Sequence, residues 1–270
     1  MELRPTTAVD LPALHALFST AISGVFEPHR FESPGPRLEV FVNQQAHVLA
    51  TGTSVVAEEE GRLLGFGASW QRDEHWFLAS LFVDEAAQGR GVGSALLDAV
   101  WGEAPRRRTI TDAIQPVSNA LYGRHGLIPA TPILRFKGRP QSDGRTVRPE
   151  VADLAAIDVA AYGFDRAIDH AYWEQHATRT TWPGAYTYVF PGGEIGPVAG
   201  LDAGAAARAL EAELARAAGA VRLQIPGSSR ALVEVALAAG LQLDPVPGLL
   251  LLSELVQPPT ALAIAGYMLF

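Results

Sequence analysis

Cysteine is absent from all 270 residues. Disulfides, thiolate metal sites and a cysteine nucleophile are therefore excluded, and any covalent mechanism needs another residue. Long apolar runs are also missing. The longest stretches, such as Val246 to Leu252, are broken by Pro247 and Gly248 and fall well short of the roughly 20 residues of a bilayer span. No membrane helix is expected. The opening Met1-Glu2-Leu3-Arg4-Pro5 has neither a basic region nor an apolar run, so no signal peptide is expected and the expected location is the cytoplasm. Positive charge is scarce: 21 Lys and Arg stand against 29 Asp and Glu, and the net charge of -8 argues against a nucleic-acid partner. The single basic cluster, Arg106-Arg107-Arg108, is short and reads as a solvated loop between a helix and a strand.

What is present is a globular composition. Hydrophobic residues make up 48% and charged residues 19%, which leaves no signature of disorder. The length suits one large domain or two ordinary ones. A polar Pro/Gly segment, Arg139-Pro140-Gln141-Ser142-Asp143-Gly144-Arg145, divides the chain nearly in half, giving expected domains 1–138 and 146–270 with 139–145 as linker. Both halves open alike. Leu3-Arg4-Pro5 precedes Val9-Asp10-Leu11, and Val147-Arg148-Pro149 precedes Val151-Ala152-Asp153-Leu154, each a short strand and then an Asp-bearing helix start. Towards their ends, Leu121-Tyr122-Gly123-Arg124-His125-Gly126-Leu127 has a counterpart in Leu237-Ala238-Ala239-Gly240-Leu241, a helix stopped by glycine. A duplicated unit of about 130 residues is the expectation, well within domain size.

Periodicity makes each half mixed α/β. In the first, helices are expected over Ala8 to Ile22 and Pro36 to Ala50, then strands Ser54 to Glu59, Leu63 to Gln71 and Trp76 to Val83, then a helix from Val92. A strand at Thr109-Ile110-Thr111 and a helix around Asn119 to Arg124 complete it. In the second, helices are expected at Val151 to Ala161, Ile168 to Ala177, Ala205 to Ala218 and Ser229 to Ala239, with strands at Tyr186 to Phe190, Glu194 to Gly200 and Val221 to Ile225. Only two strands are expected before its central helix.

Chemistry concentrates after the apolar strand Leu81-Phe82-Val83, where Gln88-Gly89-Arg90-Gly91-Val92-Gly93-Ser94 leads into an amphipathic helix. Glycines let backbone approach an anion, and the free N–H groups of a helix start carry the positive end of its dipole. The spacing fits neither a dinucleotide fingerprint, which needs glycine at Ser94, nor a P-loop, which needs a following lysine.

The segment from Leu81 to Leu97 resembles the GCN5-related N-acetyltransferases (GNAT), whose hallmark is [Gln/Arg]-x-x-Gly-x-[Gly/Ala] between a strand and a helix. The resemblance implies an α/β (α+β) fold with mostly antiparallel sheets flanked by helices, acetyl-CoA as acyl donor without a metal, and acetyl transfer to a primary amine. It implies that Leu81, Phe82 and Val83 line the pantetheine arm while Gln88, Gly89, Arg90, Gly91, Val92, Gly93 and Ser94 hold the pyrophosphate. The family's later helix carries a tyrosine before Gly-[Phe/Leu], so Tyr122 is implied as the acid for the departing thiolate; read alone, Tyr122 fits a core aromatic. An asparagine usual seven residues earlier is here Gln115, which leaves Gln115, Ser118 or Asn119 as the cofactor contact. The glutamate base of some members corresponds to Ile110. Asp112, Asp73, Glu74, His75 or water is left to take the amine proton.

The second half lacks the glycine-rich turn and has Ala236 where Tyr122 would stand. It resembles the degenerate copy of tandem family members, with Gly163 to Arg166 and Ile195 to Pro197 of that type, so one acetyl-CoA per chain is expected. Asp165, Arg166, Asp169, His170, Trp173 and Trp182 stand as acceptor-site residues or, more simply, as caps and interface residues. A non-catalytic acyl-CoA sensor is the alternative reading. The expected partner is a small-molecule amine rather than nucleic acid or membrane, with a homodimer left open.

Overall fold

The computed structural model describes residues 1–31, 35–141 and 148–270; most of the expected linker, 142–145, and the expected second-domain start at 146 and Val147 lie outside the described residues. The first half runs β1 (Glu2–Pro5), α1 (Leu11–Phe26), α2 (Leu38–Thr51), β2 (Gly52–Glu59), β3 (Arg62–Arg72), β4 (His75–Val83), α3 (Val92–Val100), β5 (Arg106–Asp112), α4 (Pro116–Arg124) and β6 (Ile128–Gly138). The second runs α5 (Leu154–Tyr162), α6 (Ala167–His176), β7 (Thr178–Trp182), β8 (Ala185–Val189), β9 (Glu194–Gly200), α7 (Ala203–Arg216), β10 (Val221–Pro226), α8 (Arg230–Ala238), β11 (Gln242–Leu243), β12 (Gly248–Leu252) and β13 (Leu262–Ala263).

One sheet spans both halves, in the order β1-β2-β3-β4-β5-β12-β6-β10-β9-β8-β7, with β11 on β6 and β13 on β9. The order is nearly symmetric about the β12/β6 pair. On one side β5 lies parallel to β4, and on the other β10 lies parallel to β9, while β12 and β6 are antiparallel to everything they touch. Each half thus closes its sheet with a strand of the other: β12 pairs with β5, and β6 pairs with β10. The halves share one sheet even though the polar segment separates them in sequence.

Local chemistry places the turns. Glu60 and Gly61 both adopt positive φ, 52° and 78°, which joins β2 to β3 in a tight hairpin. The two glycine helix stops have the same geometry: Leu127 N–H donates to Tyr122 O at 3.0 Å and Leu241 N–H to Ala236 O at 3.1 Å. Asp153 caps α5 as its position suggests, accepting from Ala156 N–H, but residues 148–150 form no strand. Glu150 N–H reaches Thr181 O in β7 all the same, as Thr6 N–H reaches Ser54 O in β2.

Three expectations need correction. The second half is not trimmed to two strands before its central helix, because β7, β8 and β9 all precede α7. The Arg106-Arg107-Arg108 cluster is not a solvated loop: it opens β5, and Arg108 is buried beside His75 and the carbonyl of Tyr162. Ala8–His29, with mean hydropathy 1.4, is long and apolar enough by composition to cross a membrane, contrary to expectation. Leu11, Leu14, Phe18, Ile22 and Phe26 of α1 are buried and belong to the cluster that contains Phe41, Val48, Phe66 and Phe77.

Candidate functional site

Pairing between β4 and β5 ends at Leu78 and Thr109, where the Thr109 hydroxyl also donates to Leu78 O. From Ala79 to Val83, β4 has no strand partner on that edge among the described residues, although it stays paired with β3 on the other. The strands part like an open V. Backbone N–H and C=O groups that a neighbouring strand would satisfy therefore face the opening. The opening continues into a cleft of about 2310 Å³.

The glycine-rich turn lies at one end of it. Gly91 takes φ 81° as the residue before α3, and a Cβ built there would meet nothing within 4 Å. Among the described residues no side chain caps α3, so the first-turn amides of Val92, Gly93 and Ser94 remain open to an anion. The helix approaches the sheet closely because β3 carries Gly65, where a Cβ would fall 2.6 Å from Phe82 O and 3.0 Å from Leu96 Cδ1. Asp84 holds the turn from below, accepting from Ala86 N–H at 3.0 Å and pairing with Arg62 at 2.8 Å.

Of the sequence-predicted cofactor residues, Leu81, Phe82, Val83, Gln88, Gly89, Gly91, Val92, Gly93, Ser94 and Gln115 line this cleft. Arg90 and Asn119 are placed elsewhere. The Arg90 guanidinium turns out to Glu59 at 2.8 Å, and the Asn119 amide donates to Gln115 O at 2.8 Å. Ser118 lines the cleft, one turn from Tyr122 and hydrogen-bonded to it. Tyr122 is 4% exposed, and burial pushes its phenol well above the ordinary tyrosine range, which keeps the proton on oxygen.

The sheet separates two chemistries. Tyr122 packs with Leu97, Val100 and Leu251 on the α3 face. On the other face Ile110 and Leu250 pack with α1 and α2. Asp112, two residues from Ile110, shares that second face. It pairs with Arg135 of β6, and Arg135 Nη2 also donates to the Tyr267 hydroxyl at 2.6 Å. All three line the cleft. Burial raises the Asp112 carboxyl above its ordinary range even though Arg135 and Tyr267 pull the other way.

Asp73, Glu74 and His75, the other base candidates, do not line the cleft. Burial, with Arg108 and Arg106 adjacent, pushes His75 down to about 4. The second-half candidates Asp165, Arg166, Asp169, His170, Trp173 and Trp182 do not line it either. Arg166 is fully buried, donating to Asp169 at 2.7 Å and Phe270 O at 3.0 Å, and Asp169 also accepts from Arg72 and His47. His170 bridges Tyr188 and Asp158. Arg166 and Asp169 join the halves. Arg135 and Tyr267 carry little local signal in the sequence; Arg135 is marked only as a charge among Ile133, Leu134 and Phe136, with Lys137 beyond.

In the second half the equivalent opening is closed. Parallel pairing of β9 with β10 covers only Glu194 and Ile195 with Arg222 and Leu223, so these strands also part. The chain itself fills the gap: β13 pairs with Val198 and Ala199 of β9, and Ile264 N–H donates to Gln224 O at 2.9 Å. The start of α7 is closed too, because Asp202 accepts from Ala205 N–H at 2.7 Å and puts a carboxylate where α3 leaves open amides.

Residues 17–127 match the model of the acetyltransferase (GNAT) family. A mycothiol acetyltransferase of Rhodococcus jostii is 32% identical over 110 residues, 40% of this chain and 35% of that protein, so the match spans about a third of the relative's length. Two solved structures share the fold over nearly the whole chain. A putative acetyltransferase from Pyrococcus horikoshii superposes with TM-score 0.78 and 19% identity, covering 100% of this chain and 95% of that one. A GCN5-related N-acetyltransferase from Sphaerobacter thermophilus gives TM-score 0.62 and 17% identity, covering 96% of each. Residues 17–127 are an acetyltransferase (GNAT) family domain, and this is the part of the chain that holds the open V and the uncapped helix start.

Proposed function

We propose that the protein is an acetyl-CoA-dependent N-acetyltransferase that moves an acetyl group to a primary amine by direct attack in a ternary complex. The parting of β4 from β5 beside an uncapped α3 carries this reading. The open edge at Leu81 to Val83 suits the amide-bearing pantetheine arm, and the amides at Gly91 to Ser94 suit the pyrophosphate. Strand amides held at the open edge stabilise the oxyanion of the tetrahedral intermediate without reorganising. The amine nitrogen attacks the thioester carbon, the C–S bond breaks, and Tyr122 gives its proton to sulfur. A phenol held neutral by burial is suited to donate and unsuited to act as base. The acceptor in this reading is a small molecule, and the compartment is the cytoplasm.

The two halves read as tandem copies, 1–138 and 146–270, of which the second has surrendered its donor site to its own chain. Titration with acetyl-CoA is therefore expected to give one site per chain, and two equivalent sites would overturn this account of β13 and Asp202.

Melting with and without acetyl-CoA, followed by thiol release over a panel of amines, tests the function. A stabilising shift and turnover on at least one amine are expected. A shift without thiol release would favour an acyl-CoA sensor, and no shift would remove both readings. Tyr122→Phe keeps the ring that packs under α3 and removes the proton donor, so kcat should fall by about 10²-fold with acetyl-CoA binding retained. Full turnover in that variant would exclude Tyr122 as the acid.

A further inference from the structure

We propose that Asp112 takes the proton from the acceptor amine, with Arg135 and Tyr267 holding its carboxylate at the wall of the cleft. This rests on the acetyl-transfer reading above and adds the missing base to it.

The argument is one of faces. An acyl donor lodged in the V between β4 and β5 presents its carbonyl at the plane of the sheet. Tyr122 meets it from the α3 face, so the nucleophile has the other face to approach from. Leu17, Phe18 and Ala21 of α1, which packs on that face, line the same cleft, as do Tyr172 and Met268. Asp112, the last residue of β5, is the carboxylate on β5 that shares this face, just beyond the point where the strands part. Geometry is the first requirement of a base, and a proton affinity lifted towards working pH is the second. Burial supplies the second.

The partners fit a positioning role. Arg135 reaches Asp112 from β6, with its other nitrogen on Val246 O, and Tyr267 lies within hydrogen-bonding reach of both. The Tyr267 ring fits because β12 has Gly248 there; a Cβ would collide with the hydroxyl at 1.9 Å. The titratable and charged groups facing Asp112 are thus Arg135 from β6 and Tyr267 from the segment after β13. β12 offers only Gly248 opposite Asp112, and the approach to α4 offers Gln115.

The step balances. As the N–C bond forms and the C–S bond breaks, one amine proton passes to Asp112 and the Tyr122 proton passes to sulfur. Solvent then carries a proton from Asp112 back to Tyr122, leaving an amide and a free thiol.

The pH dependence of thiol release with an amine the wild type accepts is the test. The wild type should show a limb in kcat/KM that rises with pH as Asp112 ionises. Asp112→Asn should lose that limb and about 10²-fold or more in kcat, with the acetyl-CoA melting shift unchanged. Tyr267→Phe leaves the ion pair intact and removes one donor to the carboxylate, so the limb should move to higher pH while plateau kcat stays within about tenfold. A merely structural Asp112 would change melting temperature and leave the position of the limb alone. Wild-type turnover with the same limb in both variants would overturn the assignment while sparing the acetyl-transfer reading. Absence of thiol release from the wild type on every amine would overturn both.

Discussion

Glutamate at Gly91 should abolish the stabilisation of the protein by acetyl-CoA. Gly91 sits at φ 81°, with open space where its side chain would be, at the mouth of the uncapped α3. A carboxylate there would satisfy the open first-turn amides of α3 and would repel the pyrophosphate of the proposed acyl donor. The fold itself should tolerate the change. A left-handed residue with a Cβ costs about 1–2 kcal/mol, and no neighbouring atom has to move. Gly126→Glu is the matching control, because it has φ 79° and equally open space but does not line the cleft. Both variants should melt slightly below the wild type, and only Gly126→Glu should keep the acetyl-CoA shift. A normal shift in Gly91→Glu would disprove the pyrophosphate assignment.

The largest loss of stability should come from Arg166→Ala. This guanidinium has no exposed surface, donates to Asp169, Leu269 O and Phe270 O, and stacks against Trp70, Tyr162, Phe164 and Trp173. Removing one partner of a buried ion pair costs about 3–5 kcal/mol, which lowers Tm by on the order of 10 °C in a chain this size. Arg230→Ala, on an exposed i,i+4 pair, should change little. The effect carries a pH signature. Burial pulls the Asp169 carboxyl upward, but Arg166, His47 and Arg72 outweigh it and hold it well below the usual carboxylate range. A depressed folded pKa contributes stability that is complete above the unfolded value of about 3.9 and is lost as pH falls towards the folded one. Wild-type Tm should therefore drop steeply below about pH 4, and the slope should be shallower in Arg166→Ala. Equal acid slopes in the two proteins would refute this account of Asp169.

The parts legible in the sequence were those whose cause is local. The turn at Gln88 to Gly93 declares itself because glycine spacing, an apolar strand and an amphipathic helix adjoin within a few residues. Tyr122 follows from the glycine stop just beyond it. What escaped depends on distant partners. β6 carries Pro129 and Pro132, which hide its alternation, and it becomes a strand because β12 and β10 flank it. β12 is a short run of leucines, a pattern shared by a buried strand and a helix fragment, and its place beside β5 has no local sign. Arg108 looks like a surface charge until Tyr162 and Phe164 arrive from beyond the linker. Asp112 is a candidate from sequence, but Arg135 and Tyr267, which make it distinctive, come from β6 and from the segment after β13.

The exchange of β12 for β6 bears on how the protein is made. Synthesis delivers the chain from its N-terminus, and domains ordinarily fold as they emerge. Here the first half, β1 to β5 with α3 and α4, can leave the ribosome with its sheet unfinished, since β5 must wait for Gly248–Leu252. Until then the β5 edge presents unpaired backbone to any passing strand. Contacts of such long sequence separation also slow the final closure. The second half thus supplies the strand that completes the sheet of the first.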